Sequence, residues 1–149
     1  MQSRMQFIIM ALLLGAILPL QATINAKLAK QAGGPVLAAF ISFAVGTLAL
    51  LLYLIISRQF QWHADQLRQL PWWAWTGGLL GTFFVAGIVV LLPRLGVALS
   101  FSLVVAGQMG AALLFDQFGW LGTSIREISL GKVAGAIMLI AGVFLIRKY

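Results

Sequence analysis

Residues 73–115 read WAWTGGLLGTFFVAGIVVLLPRLGVALSFSLVVAGQMGAALLF, and over that whole length the only charge is Arg94. A helix needs about 20 mostly apolar residues to cross a hydrocarbon core ~30 Å thick. The stretch holds two such runs, 73–92 and 97–115, parted by Pro93-Arg94-Leu95-Gly96. So short a break predicts a tight hairpin of two membrane-spanning helices.

Working outward, three more runs have the same character, about 5–25, 36–56 and 130–146. Gln31-Ala32-Gly33-Gly34-Pro35 reads as a turn, with the glycines ending one helix and Pro35 opening the next. Arg58 to Pro71 is a polar loop, and Asp116 to Ser129 a second, longer connection. Trp62, Trp72, Trp73, Trp75 and Trp120 lie at span ends, where an aromatic belt belongs. The expectation is an all-α integral membrane protein: one transmembrane domain, residues 1–149, of five spans.

Composition agrees. The chain is 62% hydrophobic and 9% charged, against about 25% charged in soluble domains. A net charge of +7 could suggest nucleic acid, but the ten basic residues fall singly or in small groups between apolar runs. That is headgroup placement, not a phosphate-tracking stripe. Without cysteine there is no disulfide, thiolate metal site or thiol nucleophile. Arg4 before an apolar run has the look of a secretory leader. However, the run is long, and Gln21, Thr23 and Asn25 make a poor small-residue cleavage site. It is read as a span.

Five crossings put the two ends on opposite sides. Arg4, Arg58, Arg68, Arg126 and Lys132 then share the N-terminal side, and Lys27, Lys30, Arg94, Arg147 and Lys148 the other. Orientation follows an excess of Lys and Arg on the cytoplasmic side, and the tally of five against five supplies none. The acidic residues Asp65, Asp116 and Glu127 all lie on the N-terminal side and count for little in this rule. The expectation is dual insertion. Many transporters are built of inverted repeats with the solute site between them. Five helices hold no internal inverted partner, but two oppositely inserted copies would supply one. They would form an antiparallel, dual-topology dimer of ten helices in inverted repeat.

The chain also resembles a known family. The stretches that carry the likeness are Gly15 to Ala26 (GAILPLQATINA), Ala38 to Ala49 (AAFISFAVGTLA), Pro71-Trp72-Trp73 with Gly77 to Gly81, and Leu92 to Gly96. Ala106-Gly107-Gln108, Phe118-Gly119 and Gly135 to Phe144 complete it. Together they resemble the YdcZ-type members of the drug/metabolite transporter superfamily. The resemblance implies a five-helix unit of the bacterial cytoplasmic membrane. It occurs alone, as oppositely oriented pairs or fused into ten-helix chains. Small-molecule transport is implied, with no particular substrate. A second copy, or an oppositely oriented paralogue, is the implied partner.

Polar residues at membrane depth are functional candidates by default. Gln21 and Asn25 stand four apart, on one helical face. They are candidate solute-lining amides, with interhelical bonding as the plainer role and an interfacial cap as a further one for Asn25. Gln108 is the most enclosed polar group of its span and a third lining candidate. Ser42, Gly46, Ala49 and Tyr53 share a face that reads as a packing seam, with Ser42 a minor lining candidate. Thr47, Ser100 and Ser102 suit bonds to preceding carbonyls. Gly77 with Gly81, and Gly131 with Gly135, have the small-xxx-small spacing that lets helices approach closely, dimer contact included. Arg94 reads as a headgroup anchor or as an anion-capturing residue at a cavity mouth.

Asp116 is a weak candidate for proton coupling; it could equally pair with Arg126 or face water. His63 is a lone loop histidine, expected to be solvated. Related small multidrug transporters use a membrane-embedded glutamate, and no acid falls inside the five apolar runs. Cation-for-proton exchange is thereby disfavoured. A neutral or anionic, partly apolar solute suits an amide-, serine- and tryptophan-lined cavity better. No catalytic constellation, metal site or cofactor motif stands out, so an enzyme is not expected. The leading expectation is a secondary transporter working by alternating access in the inverted dimer. The alternatives are a non-transporting membrane interaction subunit and a lipid-moving protein.

Overall fold

The computed structural model describes residues 2–59 and 64–149. Trp62 and His63 lie outside them. The described chain is all-helical: α1 Gln2–Ala32, α2 Pro35–Ile56, α3 Ala64–Arg68, α4 Thr76–Leu95, α5 Val97–Phe118 and α6 Leu130–Lys148. All but the short α3 belong to spans long and apolar enough to cross a membrane, five in number. It divides into two compact units, one up to Arg94 and one from Leu95 to Tyr149, each with its own internal packing.

The helices outrun the apolar windows, because helix formers continue past the hydrophobic edge. α1 carries on through Lys27, Leu28, Ala29, Lys30 and Gln31. Only Gly33, at φ +98°, stops it. The Gly34 amide then donates to the Ala29 carbonyl at 2.9 Å, the bond of a Schellman cap. Pro35 opens α2 as its first residue. Asn25 is therefore an interior residue of α1 and not its cap. In the first unit Ala29, Ala38 and Val89 form a buried cluster, flanked by Ala26 and Leu28. Ala38 has no exposed surface. In lipid, close packing of small side chains is what holds helices together, and alanines on facing turns supply it.

The break expected over Pro93 to Gly96 is shorter still. Pro93 and Arg94 belong to the last turn of α4, and Gly96 is the single residue between α4 and α5. Its φ of +78° suits glycine alone among the residues here. Its carbonyl accepts both from the Ser100 amide at 3.2 Å and from Ser100 Oγ at 2.6 Å.

α5 likewise passes the apolar edge at Phe115 and runs to Phe118, so Asp116 is a helical residue. This corrects the expectation that no acid lies within a span: Asp116 stands in the last turn of one. Gly119, at φ +61°, ends the helix. A Cβ there would lie 2.7 Å from Ile125 Cγ1 and 3.2 Å from the Thr123 carbonyl oxygen, so the position needs glycine on two counts. α2 ends on the same kind of cap without one. Arg58 adopts φ +55° while the Gln59 amide reaches the Leu54 carbonyl at 3.0 Å.

Candidate functional site

The amide candidates separate. On α1, Ala22, Asn25 and Ala29 form the buried stripe, and Gln21 stands to one side of it, exposed. The two amides do not act as one face: Asn25 turns inward and Gln21 outward. Asn25 retains 3% of its surface, and its Nδ2 has no hydrogen-bond partner. A buried donor left unmade costs about 1–3 kcal/mol. Nearby, Thr23 Oγ1 donates to the Pro19 carbonyl at 2.8 Å. Pro19 lies inside α1, and its missing N–H leaves the carbonyl one turn earlier, on Gly15, without its helical donor.

Ser42 on α2 is half-buried, whereas Gly46, Ala49 and Tyr53 of the same seam are exposed. Arg94 is exposed in the last turn of α4, where a cation also complements the helix dipole. A Cβ on Gly81 would meet only the Phe43 ring, at 3.4 Å, and Gly77 faces open space. Ser100 and Ser102 bond the carbonyls of Gly96 and Ala98, at 2.6 and 2.8 Å. These bonds occupy the hydroxyl hydrogens of both serines.

In the second unit Gln108 is exposed on α5, so it is not the most enclosed polar group of its span; Ser100, fully buried, is more enclosed. Gly135 is half-buried and lines the groove between α5 and α6, while Gly131 meets only Ser129 Oγ, at 3.8 Å. Asp116 pairs with Lys132: Nζ to Oδ2 is 3.3 Å, and Nζ also donates to the Arg126 carbonyl at 3.3 Å. The sequence left Asp116 either facing water or paired with the Arg126 side chain; Lys132 is its partner. Arg126 instead contributes backbone, its amide donating to the Asp116 carbonyl at 2.8 Å. Asp116 and Lys132 stand at equal distances from the middle of the connection between α5 and α6. That symmetry about the loop was the available signal.

Other side chains tie the loop down. Gln117 Oε1 accepts from the Ile128 amide at 3.0 Å. Ser129 Oγ caps α6 by accepting from the Lys132 amide at 3.3 Å. Trp120 sets its ring edge-on to Phe115 and stacked on Phe118. Among the described residues no three His, Asp or Glu side chains cluster as a metal site would require.

Five apolar spans with amides set among them define a multi-pass protein of the inner membrane. The chain belongs to the YdcZ family of the drug/metabolite transporter type. The family model, described as "Putative inner membrane exporter, YdcZ", matches residues 6–145. The Inner membrane protein YdcZ of Escherichia coli (strain K12) is 26% identical over 134 residues, covering 90% of this chain and 89% of that protein. No solved structure matches the chain.

Proposed function

We propose that the protein exports a small, neutral or anionic, partly apolar organic solute by alternating access, as an antiparallel pair of copies. The observation that carries this reading is the exposure of Gln21 and Gln108 within spans of high mean hydropathy. A primary amide facing lipid lacks partners and costs free energy. A second, inverted copy would cover each of those faces and give each amide partners away from lipid. Asn25 is turned inward with a free donor, so as a candidate for the solute lining it stands apart from those outward faces. Ser42 and Arg94 are lesser candidates for that lining.

The even split of basic residues supports insertion in both senses. Membership of an exporter family supports transport over catalysis. Asp116, the acid in the last turn of a span, is engaged by Lys132, which argues against its serving as a cation site. Proton coupling through Asp116 would first have to break that pair. Gly77 faces open space in the single chain, whereas Gly81 lies against the Phe43 ring, so of that pair Gly77 is the one free for contact between copies.

A reporter fused after Tyr149 tests the assembly. Comparable signal from both faces of the membrane supports inverted pairing, and signal from one face alone ends it. In proteoliposomes screened with neutral and anionic organic solutes, Gln21→Ala and Gln108→Ala should each lower saturable flux about tenfold. Full flux in both variants removes the amides from the site.

A further inference from the structure

The α5–α6 hairpin carries an open groove of about 340 Å³ whose walls include Ala112, Gly135, Ala136 and Leu139, with Asp116 and Lys132 at one end. Gly135 and Leu139 also line a second groove of about 460 Å³, which runs on to Gly142 and Ile146. The two form one furrow: apolar along its length, floored by small residues and charged at its head. From Lys132 to Gly142 it follows roughly 15 Å of helix at about 1.5 Å per residue. With its continuation to Ile146 the furrow is longer than one leaflet of a ~30 Å hydrocarbon core, so a single acyl chain would fill the part nearest Lys132.

We propose that this furrow is a binding site for a phospholipid with a zwitterionic, ammonium-bearing headgroup. The phosphate would sit on Lys132, the ammonium near Asp116, and one acyl chain would lie over Gly135. The inference does not rest on the export reading, since the lipid is bound and not moved.

Three observations choose this occupant. First, the head is loosely held. Lys132 Nζ makes two contacts, both of 3.3 Å, long beside the 2.7–2.9 Å typical of charge-assisted bonds. An ammonium has three hydrogens, so one is left for a phosphate oxygen. Second, the local charge is balanced. The Lys132–Asp116 pair sets one cation beside one anion at the furrow's end. A headgroup of both signs complements that better than a purely anionic one. Third, Trp120, four residues past Asp116 in the chain, packs against Phe115 and Phe118. An aromatic there marks the membrane–water interface, the level of lipid headgroups.

The test uses the full chain, delipidated in detergent and followed by native mass spectrometry. It is titrated with phosphatidylethanolamine, phosphatidylglycerol and diacylglycerol of identical acyl chains. Phosphatidylethanolamine is expected to bind at least about tenfold more tightly than diacylglycerol, and more tightly than phosphatidylglycerol. Lys132→Met should bring it to the diacylglycerol level, and Ala136→Leu, which fills the furrow, should abolish retention; circular dichroism confirms that both variants stay helical. Equal binding of the three lipids, a preference for phosphatidylglycerol, or unchanged retention in a helical Lys132→Met overturns the proposal. If that variant does not fold, the wild-type ranking of the three lipids still decides. The chain has no cysteine, so Ala136→Cys is a clean probe in membranes. Rapid disulfide linkage between copies there would show a second chain in the furrow, and no lipid.

Discussion

Two glycines join α1 to α2, whereas α5 and α6 are joined by the stretch from Gly119 to Ser129, tied down by side chains. The first pair meets through alanines, with Ala38 fully enclosed and Asn25 buried beside the small-residue stripe. The second is pinned at one end by Asp116 and Lys132, and α6 has no buried residue along its length. One hairpin thus keeps a polar group inward without a partner, and the other presents an open furrow. In a membrane, where apolar contact with lipid and with protein are nearly equivalent, small residues decide which faces close. Exposure of α6 therefore carries no penalty of its own, and its surface stays available to lipid or protein.

The comparison breaks or sharpens on a matched pair of substitutions. Ala38→Leu inserts a large side chain where no surface is free and should cost about 2–3 kcal/mol by overpacking. Ala136→Leu, on the open furrow, should stay within about 0.5 kcal/mol, as surface changes do. Unfolding in denaturing detergent reads both, and equal losses would erase the distinction between the hairpins.

Gly119→Ala comes next. Its Cβ would press on Ile125 at 2.7 Å in a left-handed backbone, and a loss of about 2 kcal/mol is expected from strain of this kind. A loss this large would show that the α5–α6 loop is held as firmly as its hydrogen bonds imply.

Asn25→Leu removes the orphan amide from the first hairpin and should raise stability by about 1 kcal/mol, while lowering solute flux in the proteoliposomes used for Gln21 and Gln108. Higher stability with full flux would make Asn25 a packing defect and not a lining residue. The smallest gain is expected where α2 exits. Arg58→Gly relieves a left-handed cap at a non-glycine and should gain about 0.5–1 kcal/mol, seen as a raised melting temperature. An unchanged melting temperature would mean that the Arg58 side chain offsets the backbone strain.

The spans were legible because they are a property of composition over about 20 residues, which local detail barely disturbs. Their ends were less so. Apolar windows stop at Asn25 and Phe115, but helices stop where the backbone must turn left-handed, at Gly33 and Gly119. That shift moved Asn25 and Asp116 from helix ends into helices. Gln21 and Asn25 looked like one face because four residues return to within about 40° of the start. A buried stripe only slightly wider than one side chain was enough to separate them. Arg126 was the nearer cation to Asp116 in sequence, but Lys132 took the pairing, because the loop returns the chain to place the first turn of α6 beside the last turn of α5.

The sequence by itself determined five apolar spans, an even split of basic residues between their connections and the likeness to the family. All of these follow from composition, counting and local patterns that need no packing. Only the tertiary structure decided that Asn25 faces inward with a free donor, that Asp116 belongs to Lys132, and that α5 and α6 leave a furrow between them. Those depend on which turns of different helices meet. In lipid, where apolar pattern no longer separates inside from outside, only the fit of small residues and the course of the loops can decide that.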